Sequence, residues 1–226
     1  QRITEYDFIP GTTPTGATWT APGTSRSRND GNTATVSIWK GLSFGETGYV
    51  TVAAELKDQK HTERGGWDFR QQYPLVNGSF DPREKDVNRF NAWYGEPDVK
   101  QSTVFVNAGQ MLEGGAKLYA WSSYQKRDAL SAGFFRRALQ DQNIISVYPN
   151  GFLPKIAPQV DDYSATAGIS WTAGLWDMDA SLGYGKNKMQ FTIKDTLNRS
   201  IGPTSKTQFE AGGFSYDQLV FNLSAV

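Results

Sequence analysis

Four aspartates offer the most chemistry in this sequence. Asp161 and Asp162 precede Tyr163, and Asp177 and Asp179 follow beyond a glycine-containing link, so two carboxylate pairs bracket one short stretch. Closely spaced carboxylates are the raw material of general acid–base catalysis. The surrounding pattern argues for a plainer role. Asp177 and Asp179 alternate with Trp176, Met178 and Ala180, as the polar positions of a strand do, and they sit beside a tight turn. His61 is the one histidine, with no second imidazole to share a metal, and reads as a loop residue. Arg136 and Arg137 follow Phe134 and Phe135. Two guanidinium groups could clamp an anion, but the run reads more simply as a solvated loop with aromatic rings packed under it. Trp67, Phe69, Tyr73, Phe90, Trp93 and Tyr94 gather in one long segment that also carries charges of both signs. That composition suits a recognition loop with stacking platforms, and equally a loop folded on its own small core. Trp67, Phe69, Trp93 and Tyr94 are its candidate ligand contacts. No phosphate-cradling glycine loop and no nucleophile elbow occurs, so neither an enzyme nor a cofactor is expected, and no metal site is read.

The composition narrows the elements that position these groups. Lys plus Arg equals Asp plus Glu at 23 each, which removes the basic footprint of a nucleic-acid binder. Only 38% of the 226 residues are hydrophobic, while 13% are aromatic and 23 are glycine, poor material for a thick core but rich in strand and turn formers. There is no cysteine, hence no disulfide framework or thiolate site. No apolar run approaches the roughly 18 to 20 residues of a transmembrane helix. A membrane β-barrel passes all these tests, because its hydrophobicity is hidden in alternation.

Alternation predicts strands at 32–40, 48–59, 101–112, 116–128 and 216–226, two more within 161–187, and a weaker one at 2–9. The segment 134–142 could supply a helical turn or two inside a loop. Short links at 41–47, 113–115 and 172–175 alternate with long ones at roughly 60–100, 129–160 and 188–215. Tight turns on one side of an up-and-down meander and extended loops on the other are the pattern of an outer-membrane barrel.

The stretch 161–187 gives the sharpest reading. Placing its turn at Ala173 and Gly174 pairs Tyr163 with Tyr184, Ala165 with Leu182, Ala167 with Ala180, Ile169 with Met178 and Trp171 with Trp176, so one face is apolar throughout. The other face carries only small or acidic residues. Tyr163 and Trp171 stand eight residues apart, as do Trp176 and Tyr184. Eight residues are about 26 Å of strand, or roughly 20 Å of height at a tilt of about 40°, near the ~25 Å apolar band between the aromatic girdles of such barrels. Tyr163, Ile169, Trp171, Trp176, Met178, Leu182 and Tyr184 are therefore expected to face lipid. The strand at 116–128 is ambiguous, because Tyr119 and Trp121 compete with Leu118 and Ala120 for that face.

The segments "YPNGFLPKIAPQVDDYSATAGISW" from Tyr148, "LNRSIGPTSKTQFEAGGFSYDQLVFNL" at 197–223 and "DGNTATVSIWKGLSFGETGYVTVAAELKDQ" from Asp30 resemble the barrel domain of TonB-dependent outer-membrane receptors. The resemblance implies a large barrel, typically of 22 strands around a folded plug, that imports scarce ligands with energy delivered by TonB. It further implies a bacterial outer-membrane location, contact with membrane lipid and lipopolysaccharide, coupling to TonB through a plug outside this chain, and a small-molecule or saccharide ligand. With about seven to eight strands, residues 1–226 are expected to be part of such a barrel, without the plug. Two alternatives remain: a small passive outer-membrane barrel or pore, and a soluble all-β carbohydrate-binding or adhesin module.

Overall fold

The computed structural model describes residues 28–68 and 70–226. The weak strand expected at 2–9 and the aromatic Phe69 lie outside them. Seven strands form one antiparallel sheet in chain order: β1 (Thr33–Phe44), β2 (Gly48–Gln59), β3 (Asp98–Met111), β4 (Lys117–Ala132), β5 (Lys155–Ala173), β6 (Trp176–Lys194) and β7 (Phe209–Ala225). Each strand pairs with the next, and the outer edges of β1 and β7 are paired with nothing among the described residues. The sheet is an open meander.

The strands run past their expected ends, mostly towards the long connections. β5 begins at Lys155 and β6 continues to Lys194, so the long links shrink to 60–97, 133–154 and 195–208. All three still lie on one side of the sheet, and the short links 45–47, 112–116 and 174–175 lie on the other. The segment 134–142 holds turns and an isolated bridge between Arg136 and Phe152, not a helix. The sole helical pieces among the described residues are two 3-10 turns, Pro82–Lys85 and Gly202–Thr204.

The hairpin of β5 and β6 differs from expectation by one pair step. Ala173 pairs with Trp176, which puts the turn at Gly174 and Leu175 rather than at Ala173 and Gly174. Gly174 has φ +65° and Leu175 is not left-handed, the pattern of a II′ turn, whose twist matches the strands it joins. Because the shift is two residues in the index sum, every side chain keeps its face while its partner changes. Tyr163 now pairs with Lys186, Ala165 with Tyr184, Ala167 with Leu182, Ile169 with Ala180 and Trp171 with Met178.

Candidate functional site: two faces and a loop cap

Following the pairing from strand to strand sorts the sheet into two surfaces. One surface is apolar on every strand: Val36 and Ile38 on β1, Val52 and Leu56 on β2, Val104 and Val106 on β3. It continues through Leu118 and Ala120, Ala167 and Ile169, Ala180 and Leu182, and Phe221 and Leu223 on β4 to β7. The register therefore resolves the ambiguous strand: Leu118 and Ala120 join the apolar face, and Tyr119 and Trp121 the other. Val36, Ile38, Leu56, Leu182, Phe221 and Leu223 are between 51% and 71% exposed. Buried hydrophobic residues occur instead at the loop end, at Tyr73, Ala138, Phe152, Ala157 and Val160.

The seven aromatic and aliphatic residues expected to face lipid all stand on this uncovered face. Tyr163, Trp176 and Leu182 are exposed; Ile169, Trp171, Met178 and Tyr184 are half-buried by their neighbours in the sheet. Tyr124 pairs with Tyr163, and Tyr184 lies diagonally beside it, so tyrosines from three adjacent strands form a row near the loop end. Beyond that row come the charges of the face, among them Lys100, Lys126, Asp161 and Lys188. On the turn side of the row the exception is Lys40, on the edge strand β1.

The opposite face is polar, and two of its tyrosines rest on glycines. A Cβ on Gly168 would lie 2.4 Å from the Tyr119 ring, and one on Gly109 would lie 2.6 Å from the Tyr49 ring. Both rings lie flat across a neighbouring strand only because those positions carry no side chain. Tyr119 then reaches past β5 and donates its hydroxyl to Asp179 at 2.9 Å.

The aspartates do not converge. Asp161 accepts from Tyr124 on the apolar face, while Asp162 on the polar face accepts from Gln125 and Asn187. Asp177 accepts from Thr172, and Asp179 from Tyr119. Each carboxylate is a local sheet contact, and no shared-proton pair forms.

The three long connections knit into one cap. Glu84 is 2% exposed; its carboxylate accepts from the backbone N–H groups of Gln72 and Tyr73 and from the buried guanidinium of Arg89. Tyr73 donates its hydroxyl to Asn150, Arg137 donates to the Gln71 carbonyl, Arg199 to that of Asn143 and Tyr148 to that of Thr196. Burial pushes Arg137 below the usual guanidinium range, so this cation is built into the cap. Arg136 lies over the Phe134 ring, in keeping with rings packed within the loop.

The loop aromatics are largely occupied by this packing. Trp93 stacks on His61 at 3.7 Å, a gap too narrow for an ammonium, so the Lys155 group 2.9 Å from the Trp93 centroid covers the other face. His61 in turn faces Asp98, at 3.2 Å. Arg89 covers a face of Trp67 at 5.0 Å. Of the candidate contacts described, Tyr94 is the exposed one, at 52%.

Four aromatics of the polar face, Trp39, Phe105, Trp121 and Tyr216, are each exposed and without a stacked ring or cation among the described residues; of these the sequence singled out Trp121 alone, without deciding its face. Their signal was parity, since each stands at a polar position of its strand. No helix among the described residues is long and apolar enough to cross a membrane, and no group of three or more metal-ligating side chains occurs among them. No protein family, no curated protein and no solved structure matches the chain.

Proposed function

We propose that this chain forms part of the transmembrane β-barrel of a TonB-dependent outer-membrane receptor, with the apolar face towards lipid and the polar face towards the lumen. The observation that carries this reading is the apolar surface: continuous over seven strands, uncovered, and bounded by tyrosines and then charges at the end where all the long loops emerge. A soluble sheet of this size would bury such a face against a second layer. Each strand also exceeds the ~9 to 11 residues a barrel strand needs to cross a bilayer. The edges of β1 and β7, unpaired among the described residues, leave the sheet able to continue on both sides, as a larger barrel requires. In this reading the loop cap gates the outer mouth, and ligand uptake is energised through a plug that couples to TonB. Lipid and lipopolysaccharide would surround the wall.

The chain has no cysteine, so single-cysteine variants report topology cleanly. Leu75→Cys in the loop cap should react with a membrane-impermeant maleimide on intact bacteria, and Leu175→Cys in the β5–β6 turn only after permeabilisation. Equal labelling of both without permeabilisation would remove the proposal.

A further inference from the structure

The polar face carries a groove whose lining points to a ligand. β4 to β7 stack there in register: Gln125, Asp162, Asn187 and Tyr216 make one row across the four strands, and Ser123, Ser164, Gly185 and Gln218 make the next. Trp121, Thr166, Gly183 and Val220 follow. Between the rings of Trp121 and Tyr216 these rows enclose a groove of about 410 Å³. The two rings are 39% and 64% exposed and stand at opposite corners of a floor that, apart from Asp162 and Val220, is hydroxyl, amide and glycine. They are three strands and four residues apart, a diagonal of roughly 20 Å on a flat sheet.

We infer that this groove binds a neutral oligosaccharide. Aromatic faces stack on the C–H faces of sugar rings, and hydroxyl and amide side chains supply both donors and acceptors for sugar hydroxyls. Two charged residues line the groove: Asp162, whose carboxylate already accepts from Gln125 and Asn187, and Lys186, which pairs with Tyr163 and so directs its side chain to the opposite face. The separation of the two rings suits a short chain of sugars rather than a single ring. Glycine at 183 and 185 keeps the floor flat, and a Cβ at Gly185 would meet no atom within 4 Å, so the space above it is open. This site does not depend on which solvent bathes the apolar face, and it differs from the loop aromatics, whose ring faces are largely taken.

That open space supplies the test. Gly185→Cys adds a thiol into the groove without a clash, and its labelling by a small maleimide can be followed in the purified, detergent-solubilised protein. Maltohexaose, cellohexaose and xylohexaose are the probes, with titration calorimetry alongside. Free labelling, slowed at least tenfold by one of the three, is the expected result. Trp121→Ala and Tyr216→Ala should each weaken that sugar's binding at least tenfold, and Trp39→Ala, outside the groove, should leave it unchanged. Three outcomes overturn the inference: no protection by any of the three sugars, protection indifferent to Trp121 and Tyr216, or a thiol already shielded before sugar is added, which would mean that polypeptide fills the groove. None of these bears on the labelling of Leu75→Cys and Leu175→Cys, so the two readings fail separately.

Discussion

Tyr163 and Tyr184 stand on the same face of adjacent strands without being partners: their rings are 6.2 Å apart and tilted by 52°, while Tyr163 pairs with Lys186 and Tyr184 with Ala165. Tyr184 therefore lies two residues, about 7 Å, nearer the tight turns along its strand. Displacement of this kind is what strands tilted in a membrane need if their aromatic residues are to meet one interface.

The apolar face should resist charge in its middle. Ala167→Arg places a guanidinium between the tyrosine row and Trp171, where it should oppose membrane insertion by about 2 to 4 kcal/mol. Folding into lipid vesicles, read by the gel shift between heated and unheated samples, should fall for this variant. It should stay near wild type for Ser164→Arg on the polar face. Equal folding of the two would show that lipid does not contact Ala167.

The contact of Tyr119 with Gly168 should behave as a lock. Gly168→Val forces a side chain into the Tyr119 ring and towards the Ala180 carbonyl, and overpacking of this kind costs about 1 to 3 kcal/mol. Tyr119→Ala should recover part of that loss in the double variant, which urea unfolding in detergent would read. An additive pair of losses would place the strain elsewhere.

Glu84 and Arg89 hold the cap from inside. Glu84→Gln removes the carboxylate charge that the buried Arg89 guanidinium bonds, and breaking buried pairs of this kind costs about 3 to 5 kcal/mol. The expected outcome is rapid proteolytic cleavage within 60–97 while the strands stay protected. Wild-type protease resistance would mean that the cap is held by its other bonds.

Acid should loosen the cap only at low pH. Burial raises the Asp68 carboxyl, but bonds from Arg70 outweigh it and hold the group below the usual value of 3.8. A depressed carboxylate contributes stability that is present above its unfolded pKa and lost as pH falls through the lower, folded one. The protection factors of amides in 60–97, taken against the free-chain exchange rate at each pH, should therefore hold from pH 7 to 5 and fall below about pH 4. Loss of protection already at pH 6 would show that Asp68 is not the group that governs the cap's response to acid.

Parity carried much of this architecture into the sequence. Alternation located all seven strands of the sheet, and the switch of parity after Ala173 kept one face apolar across the hairpin. The register was missed because placing Ala173 and Gly174 in the turn, or Gly174 and Leu175, preserves the same two faces, and only the pairing of Ala173 with Trp176 separates them. The face of the 116–128 strand was undecided because Tyr119 and Trp121 compete with Leu118 and Ala120 for the apolar side. Gly168, one strand away, is the residue that receives the Tyr119 ring, and that relation exists only once β4 and β5 are aligned. The cap was least legible. Its central bonds join Glu84 to Gln72, Tyr73 and Arg89, and Tyr73 to Asn150, across distances in the chain that no periodicity encodes.

The number of strands has a consequence for what can complete the sheet. With seven, β1 and β7 both run from the loop side to the turn side, so the two edges left unpaired among the described residues point the same way. An antiparallel ring alternates direction at every step, and these edges therefore cannot zip to one another, nor can copies of the seven strands in a common orientation join edge to edge. Strands that closed this sheet in antiparallel fashion would have to be odd in number, the first and last of them running from turn side to loop side.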